Sequence, residues 1–185
     1  MEITVSPELG TILGFARDEA MRTGHFGIGA DHLMLGLLRH SDNDACMVLR
    51  SLGVDLKSVK TRIDDAIFRD EPVPYSDEGR TGLTRSAHNV LSITVYEALK
   101  CGQSSARPEH LLLALSLSER TAVRGILDSL GLTREVLAER MRSAGLLRQM
   151  PDPVLPKAEE IARALEDELK RVINIIPMPS TDFYS

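Results

Sequence analysis

The chain has 185 residues, 43% hydrophobic, 26% charged and 4% aromatic with no Trp, and a formal net charge of -5. It is long enough to bury a core, which must be built of Leu, Ile, Val, Met and Ala, a mix that favours helices. The acidic balance with no dominant Lys/Arg cluster argues against a nucleic-acid binder. No apolar run of about 18 residues is present to span a bilayer, and "MEITVSPELG" lacks the regions of a signal peptide. A cytoplasmic protein without nucleic-acid or membrane partners is expected.

A first helix is expected to start after Ser6, with Pro7 at its first position, and to stop at Gly24. Ile12, Phe15, Ala16, Glu19 and Ala20 recur in it at helical spacing. "HLMLGLL", starting at His32, is apolar on almost every side, which suits a helix enclosed by neighbours. A third helix over 43–52 closes at Gly53, and a fourth follows over about 56–69. "RDEPVPYSDEGRTG", residues 69–82, carries two Pro, two Gly and four acids and reads as a linker.

The order then repeats. Thr84 opens a helix with Val90, Leu91, Val95 and Ala98 on one stripe, ending at Gly102; "HLLLALSL" is the second enclosed helix. Helices over 119–130, closed by Gly131, and 133–144, capped by Thr133, complete the set. "MPDPVLP" at 150–156 breaks the chain before a segment over 157–173, where Ile161, Leu165, Leu169 and Val172 form a stripe expected to fold back on the repeats. The last twelve residues read as a loose tail.

The repetition is exact in register. A shift of 78 aligns residues 6–66 with 84–144 without a gap, matching Leu13 with Leu91, Glu19-Ala20 with Glu97-Ala98, Gly24 with Gly102 and His32-Leu33 with His110-Leu111. "LRSLG" at 49–53 matches "LDSLG" at 127–131. The expected fold class is therefore all-α: pseudo-twofold duplicated four-helix repeats over residues 1–148, plus a C-terminal helix within 149–185. Repeat 1 spans about 4–69, the linker 70–82 and repeat 2 about 83–147.

No catalytic residue, metal site or cofactor is expected. Cys46 and Cys101 are isolated, and His25, His40 and His88 have no ligand set or nucleophile at suitable spacing. "LGF" at 13–15 lies inside a helix. With Pro108 at the first helical position, Glu109 falls second and His110 third, and the same register places Asp31 and His32 in the first turn of the matching helix. The histidines read as packed residues bonded to backbone there. The acids, read as exposed at the helix end, have a structural use: they complement the positive end for about 0.3–1 kcal/mol.

The paired "GADHLMLGLL" and "RPEHLLLAL", with "DEAMRTGH", "YEALKCGQ", "LRSLGV" and "LDSLGL" around them, resemble the double Clp repeat domain at the N-terminus of the ClpA, ClpB and ClpC type of AAA+ unfoldase. The resemblance covers residues 4 to about 147 and implies a helical pseudo-twofold module that receives substrates and adaptors. It also implies a pocket for phosphorylated arginine at the acid of each repeat, here Asp31 and Glu109. Ala30, Pro108, Val5 and Leu83 lie in the same candidate site. The pattern in ClpC-type domains is Thr-Glu-His, whereas Ala30 and Pro108 replace the Thr and Asp31 is one methylene shorter.

No G-x-x-x-x-G-K-[ST] phosphate loop occurs. The expected function is a non-catalytic, stand-alone adaptor or accessory factor whose partners are a Clp AAA+ unfoldase, Clp peptidase, or client proteins, including phosphoarginine-marked ones. The alternatives are an N-domain mimic that sequesters a small molecule or modified protein, and the N-terminal fragment of a full Clp ATPase.

Overall fold

The structure, a computed structural model, describes residues 2–69 and 71–173. Among these, four helices form each repeat: α1 Pro7–Arg22, α2 Ala30–Arg39, α3 Asp44–Ser51 and α4 Leu56–Ile67, then α5 Arg85–Lys100, α6 Pro108–Leu115, α7 Ala122–Ser129 and α8 Arg134–Ser143, with α9 Ala158–Ile173 beyond them. Their ends follow the sequence signals. Ser6 Oγ accepts from Leu9 N and Thr84 Oγ1 from Ala87 N, both at 3.1 Å, while Gly24, Gly53, Gly102 and Gly131 sit at positive φ just past the helix ends. The third helix of repeat 2 starts three residues later than its sequence suggests. Arg120 adopts φ 58° and Thr121 is the cap, its Oγ1 accepting from Arg124 N.

The enclosed helices are the posts of the core. Every residue of α6 is buried, as are eight of the ten in α2, and each fully buried Leu contributes about 1.5–3 kcal/mol. Gly36 lets α2 approach α1 closely, because a Cβ there would lie 2.5 Å from the Ile12 carbonyl oxygen and 2.8 Å from Ala16 N. Its equivalent in repeat 2 is Ala114. Glu19 and Glu97, also equivalent, are both buried, but they tie down different helices: Arg22 bridges Glu19 to Asp64 of α4, whereas Glu97 takes both ends of the Arg134 guanidinium from α8.

Four two-residue strands, absent from the helical pattern, lock the repeats together. Strand β1 (Thr4–Val5) pairs in parallel with β4 (Ser105–Ala106), and β2 (Gly27–Ile28) with β3 (Gly82–Leu83). The 78-residue shift carries β1 onto β3 and β2 onto β4, so both pairs obey the pseudo-twofold and each joins the entry of one repeat to the helix-preceding loop of the other.

The equivalence extends past the aligned residues. After α4 the chain turns back along α1: Arg69 N donates to Thr23 O and Val73 N to Met21 O, and a short 3-10 helix, Tyr75–Arg80, leads into β3. These contacts and the short helix lie within the segment read from sequence as the linker. After α8 the chain returns along α5, with Met150 packed on Gly102 as Glu71 is on Gly24, and α9 continues beside α5 to β1. Ile161, Leu165 and Leu169 are buried in that contact, and Val172 lies over Gly10. The stripe of α9 folds back on its own repeats. Residues 174–185, expected to form a tail, lie outside the described residues.

Candidate functional site

The strand pairs decide which helix ends meet. Because β1 enters α1 and β4 enters α6, their pairing sets the N-termini of these helices side by side; β2 and β3 do the same for α2 and α5. Pro108, Glu109 and His110 occupy the first three positions of α6, and Ala30, Asp31 and His32 those of α2.

The histidines close the helix ends. His32 Nδ1 accepts from Gly29 N at 2.9 Å and His110 Nδ1 from Arg107 N at 3.0 Å, each satisfying an amide that the helix leaves free. This fixes the proton on Nε2. His32 Nε2 then donates to Thr23 Oγ1 at 3.0 Å, but His110 Nε2 has no hydrogen-bond partner among the described residues, for Cys101 stands where repeat 1 has Thr23. Burial holds both rings far below the usual imidazole range, His32 at about 3 and His110 at about 4. They are neutral structural groups.

The acids are not exposed at the helix ends, and this corrects the sequence expectation. Asp31 is half-buried: Oδ1 accepts from Val123 N at 2.8 Å and Oδ2 from Ala122 N at 3.3 Å, so the carboxylate caps α7 of the other repeat. Burial raises its pKa, and these two amides oppose the rise. The shorter aspartate side chain is thus used across the repeat interface, a role invisible without the fold.

Glu109 is 2% exposed and differs from Asp31 in its partners. Oε1 lies 3.0 Å from Arg107 Nε, whereas Oε2 has no hydrogen-bond partner among the described residues. Arg107 also reaches Asp44 Oδ2 of α3 at 3.4 Å. Burial raises the Glu109 pKa; its own backbone amide and then Arg107 oppose this, while Asp44 and Glu8 add to it. A buried carboxylate with one unpartnered oxygen, at a helix end, can take a further donor once the arginine over it moves. Arg107 and Asp44 were not among the residues singled out by sequence. Only the internal comparison of Arg107 with Gly29 carried a signal.

The other candidates are framework. Val5 is 8% exposed and donates its amide to Glu168 Oε1 of α9 at 2.9 Å; Leu83 is fully buried in the strand pair. Ala30 is buried, and Pro108 is buried at the first position of α6. Two clefts of about 630 and 580 Å³ lie elsewhere, the first lined by Arg50, Lys57 and Lys60, the second between Ile3 and α9. Neither includes Asp31 or Glu109, although Val5 lines a further cleft of about 490 Å³ with Ser6 and Pro7. No group of three His, Cys, Asp or Glu among the described residues could hold a metal ion. No helix there is long and apolar enough to cross a membrane.

Comparison with known proteins agrees with this architecture. The chain is 30% identical over 122 residues to the negative regulator of genetic competence ClpC/MecB of Bacillus subtilis, and 30% identical over 122 residues to the chaperone protein ClpB of Oceanobacillus iheyensis. In each case 66% of this chain is covered but only 15% of the relative, so the match spans a small part of those proteins. Among solved structures, the N-terminal domain of the chaperone ClpD of Arabidopsis thaliana superposes with TM-score 0.59 at 17% identity, over 76% of this chain and 96% of that one. The Hsp104 N-terminal domain of Candida albicans gives TM-score 0.62 at 13% identity, over 80% and 95%. These two share the fold. The model of the Clp repeat (R) N-terminal domain matches residues 4–130, and the chain belongs to that family.

Proposed function

We propose that the chain is a non-catalytic, cytoplasmic protein-binding module of the Clp protease and chaperone system, acting as an adaptor or accessory factor in substrate or adaptor recognition for an AAA+ unfoldase. The ligand acceptor is Glu109, and the ligand class is arginine-bearing protein segments, phosphoarginine-marked ones included. The observation that carries this reading is the unpartnered Oε2 of a carboxylate that is 2% exposed at the start of α6. A carboxylate in that position recognises a guanidinium by two parallel hydrogen bonds, of which only one oxygen is at present engaged. Asp31 is outside the ligand site, since both its oxygens are bonded to α7.

A second reading is favoured by one observation: the matched relatives are covered over 15% of their length. The same module then serves as the receiving domain of a longer Clp ATPase. Affinity capture from the native host tests both. Retrieval of Clp unfoldase or peptidase subunits, or of a set of clients, through the wild-type chain and its loss with Glu109→Gln is the expected result. Retrieval of none of these would contradict both readings and favour a sequestering protein.

A further inference from the structure

Arg107 has no counterpart in repeat 1, where the 78-residue shift places Gly29. The two equivalent carboxylates have accordingly diverged. Asp31, free of any neighbouring arginine side chain from its own cap, is consumed by backbone amides of α7; Glu109 is covered by the arginine that caps its own helix.

The cover is one-sided. Arg134 grips Glu97 through two nitrogens, with Nε 2.9 Å from Oε1 and Nη2 2.6 Å from Oε2. Arg107 approaches Glu109 through Nε alone, at 3.0 Å from Oε1, and leaves Oε2 without a partner; its Nη2 points to Asp44 Oδ2 at 3.4 Å. The Arg107 side chain is 44% exposed and Asp44 34%, so the guanidinium has solvent on one side and a second anion within reach. A single-pronged, half-exposed pair gives up its partner far more easily than a buried fork does.

We infer that Arg107 is a built-in competitor for its own site: its guanidinium holds the place of an arginine-bearing ligand on Glu109, and binding exchanges one guanidinium for the other while Arg107 moves onto Asp44. This rests on the reading of Glu109 as the ligand acceptor. The consequence is selectivity. A guanidinium that meets Glu109 through one nitrogen gains little over the resident one, whereas one that brings both prongs also satisfies Oε2, the buried atom that Arg107 leaves unpartnered.

The test is calorimetric titration of the full chain with Nα-acetyl-arginine amide. Arg107→Gly installs the residue that repeat 1 already carries at this cap, so the helix start is preserved. The expected result is affinity on the order of tenfold tighter in Arg107→Gly than in wild type, with the gain erased in Arg107→Gly/Glu109→Gln. In the wild-type chain, saturating ligand should move the Arg107 Nε–H resonance. Equal or weaker binding by Arg107→Gly, with Glu109→Gln still abolishing it, would overturn the competitor and leave the Glu109 site standing. A double variant that binds as tightly as Arg107→Gly, or the absence of binding in all forms, would remove the site and the competitor together.

Discussion

Glu168 of α9 accepts a hydrogen bond from the Val5 amide of β1 at 2.9 Å, joining residues 163 apart in sequence. The same carboxylate pairs with Arg171, which together with the Val5 amide holds its pKa below the usual range against the opposing effect of burial. Glu168→Ala leaves the amide with no acceptor and should cost about 1–2 kcal/mol, read as a lower urea midpoint and faster hydrogen exchange at Val5. Glu168→Gln keeps an acceptor, so the Val5 amide should stay protected.

Gly36 and Ala114 are equivalent positions with opposite tolerance. A methyl at Gly36 would meet the Ile12 carbonyl oxygen at 2.5 Å, and backbone cannot yield cheaply, so Gly36→Ala should destabilise by about 1–3 kcal/mol by forcing α1 and α2 apart. Ala114→Gly removes a methyl that repeat 2 accommodates, and should cost about 1 kcal/mol through helix propensity. Thermal unfolding of the two variants gives the ranking.

The unpartnered His110 Nε2 invites repair. Thr at 101 would restore the hydroxyl that Thr23 offers to His32, and Cys101→Thr should stabilise the fold by about 1 kcal/mol. Denaturant unfolding measures it directly. No gain would mean that the repeats differ in geometry around this ring.

Acid should weaken the fold before its carboxylates titrate. His32 and His110 stay neutral in the folded chain down to about pH 3 and 4, whereas in the unfolded chain they protonate near 6.5. The unfolded state therefore binds more protons below 6.5. The stability tied to the neutral rings is complete above that pH and is lost as pH falls, by up to about 1.4 kcal/mol per ring and pH unit. His25 and His88, also lowered by burial, act in the same direction. The raised carboxyls Asp31 and Glu109 act oppositely, in the carboxylate range. Urea midpoints at pH 7 and pH 5.5 should differ by about 2–3 kcal/mol in stability, and His110→Gln should shrink the difference.

Much of the fold was legible because several helices carry their own punctuation: Ser6, Thr84 and Thr133 open helices, and Gly24, Gly53, Gly102 and Gly131 close them. The internal repeat supplied the pairing of halves. The strand pairs were not legible, since two residues such as Thr4–Val5 are too short to show a period and their partners lie far away. The site was half legible. Spacing placed Asp31 and Glu109 at helix starts, but burial is a tertiary property: whether an acid meets water, an arginine or another helix's amides depends on what the strands bring alongside.

Ligand is expected to enter at Glu109 and not at Asp31. Amide shift mapping of the full chain titrated with phosphoarginine, alongside Glu109→Gln and Asp31→Asn, distinguishes the two acids. The expected shifts centre on Arg107, Glu109, His110 and Asp44, are lost in Glu109→Gln and are retained in Asp31→Asn. Shifts centred on the Ala122 and Val123 amides, or none at Arg107 to His110, would contradict it.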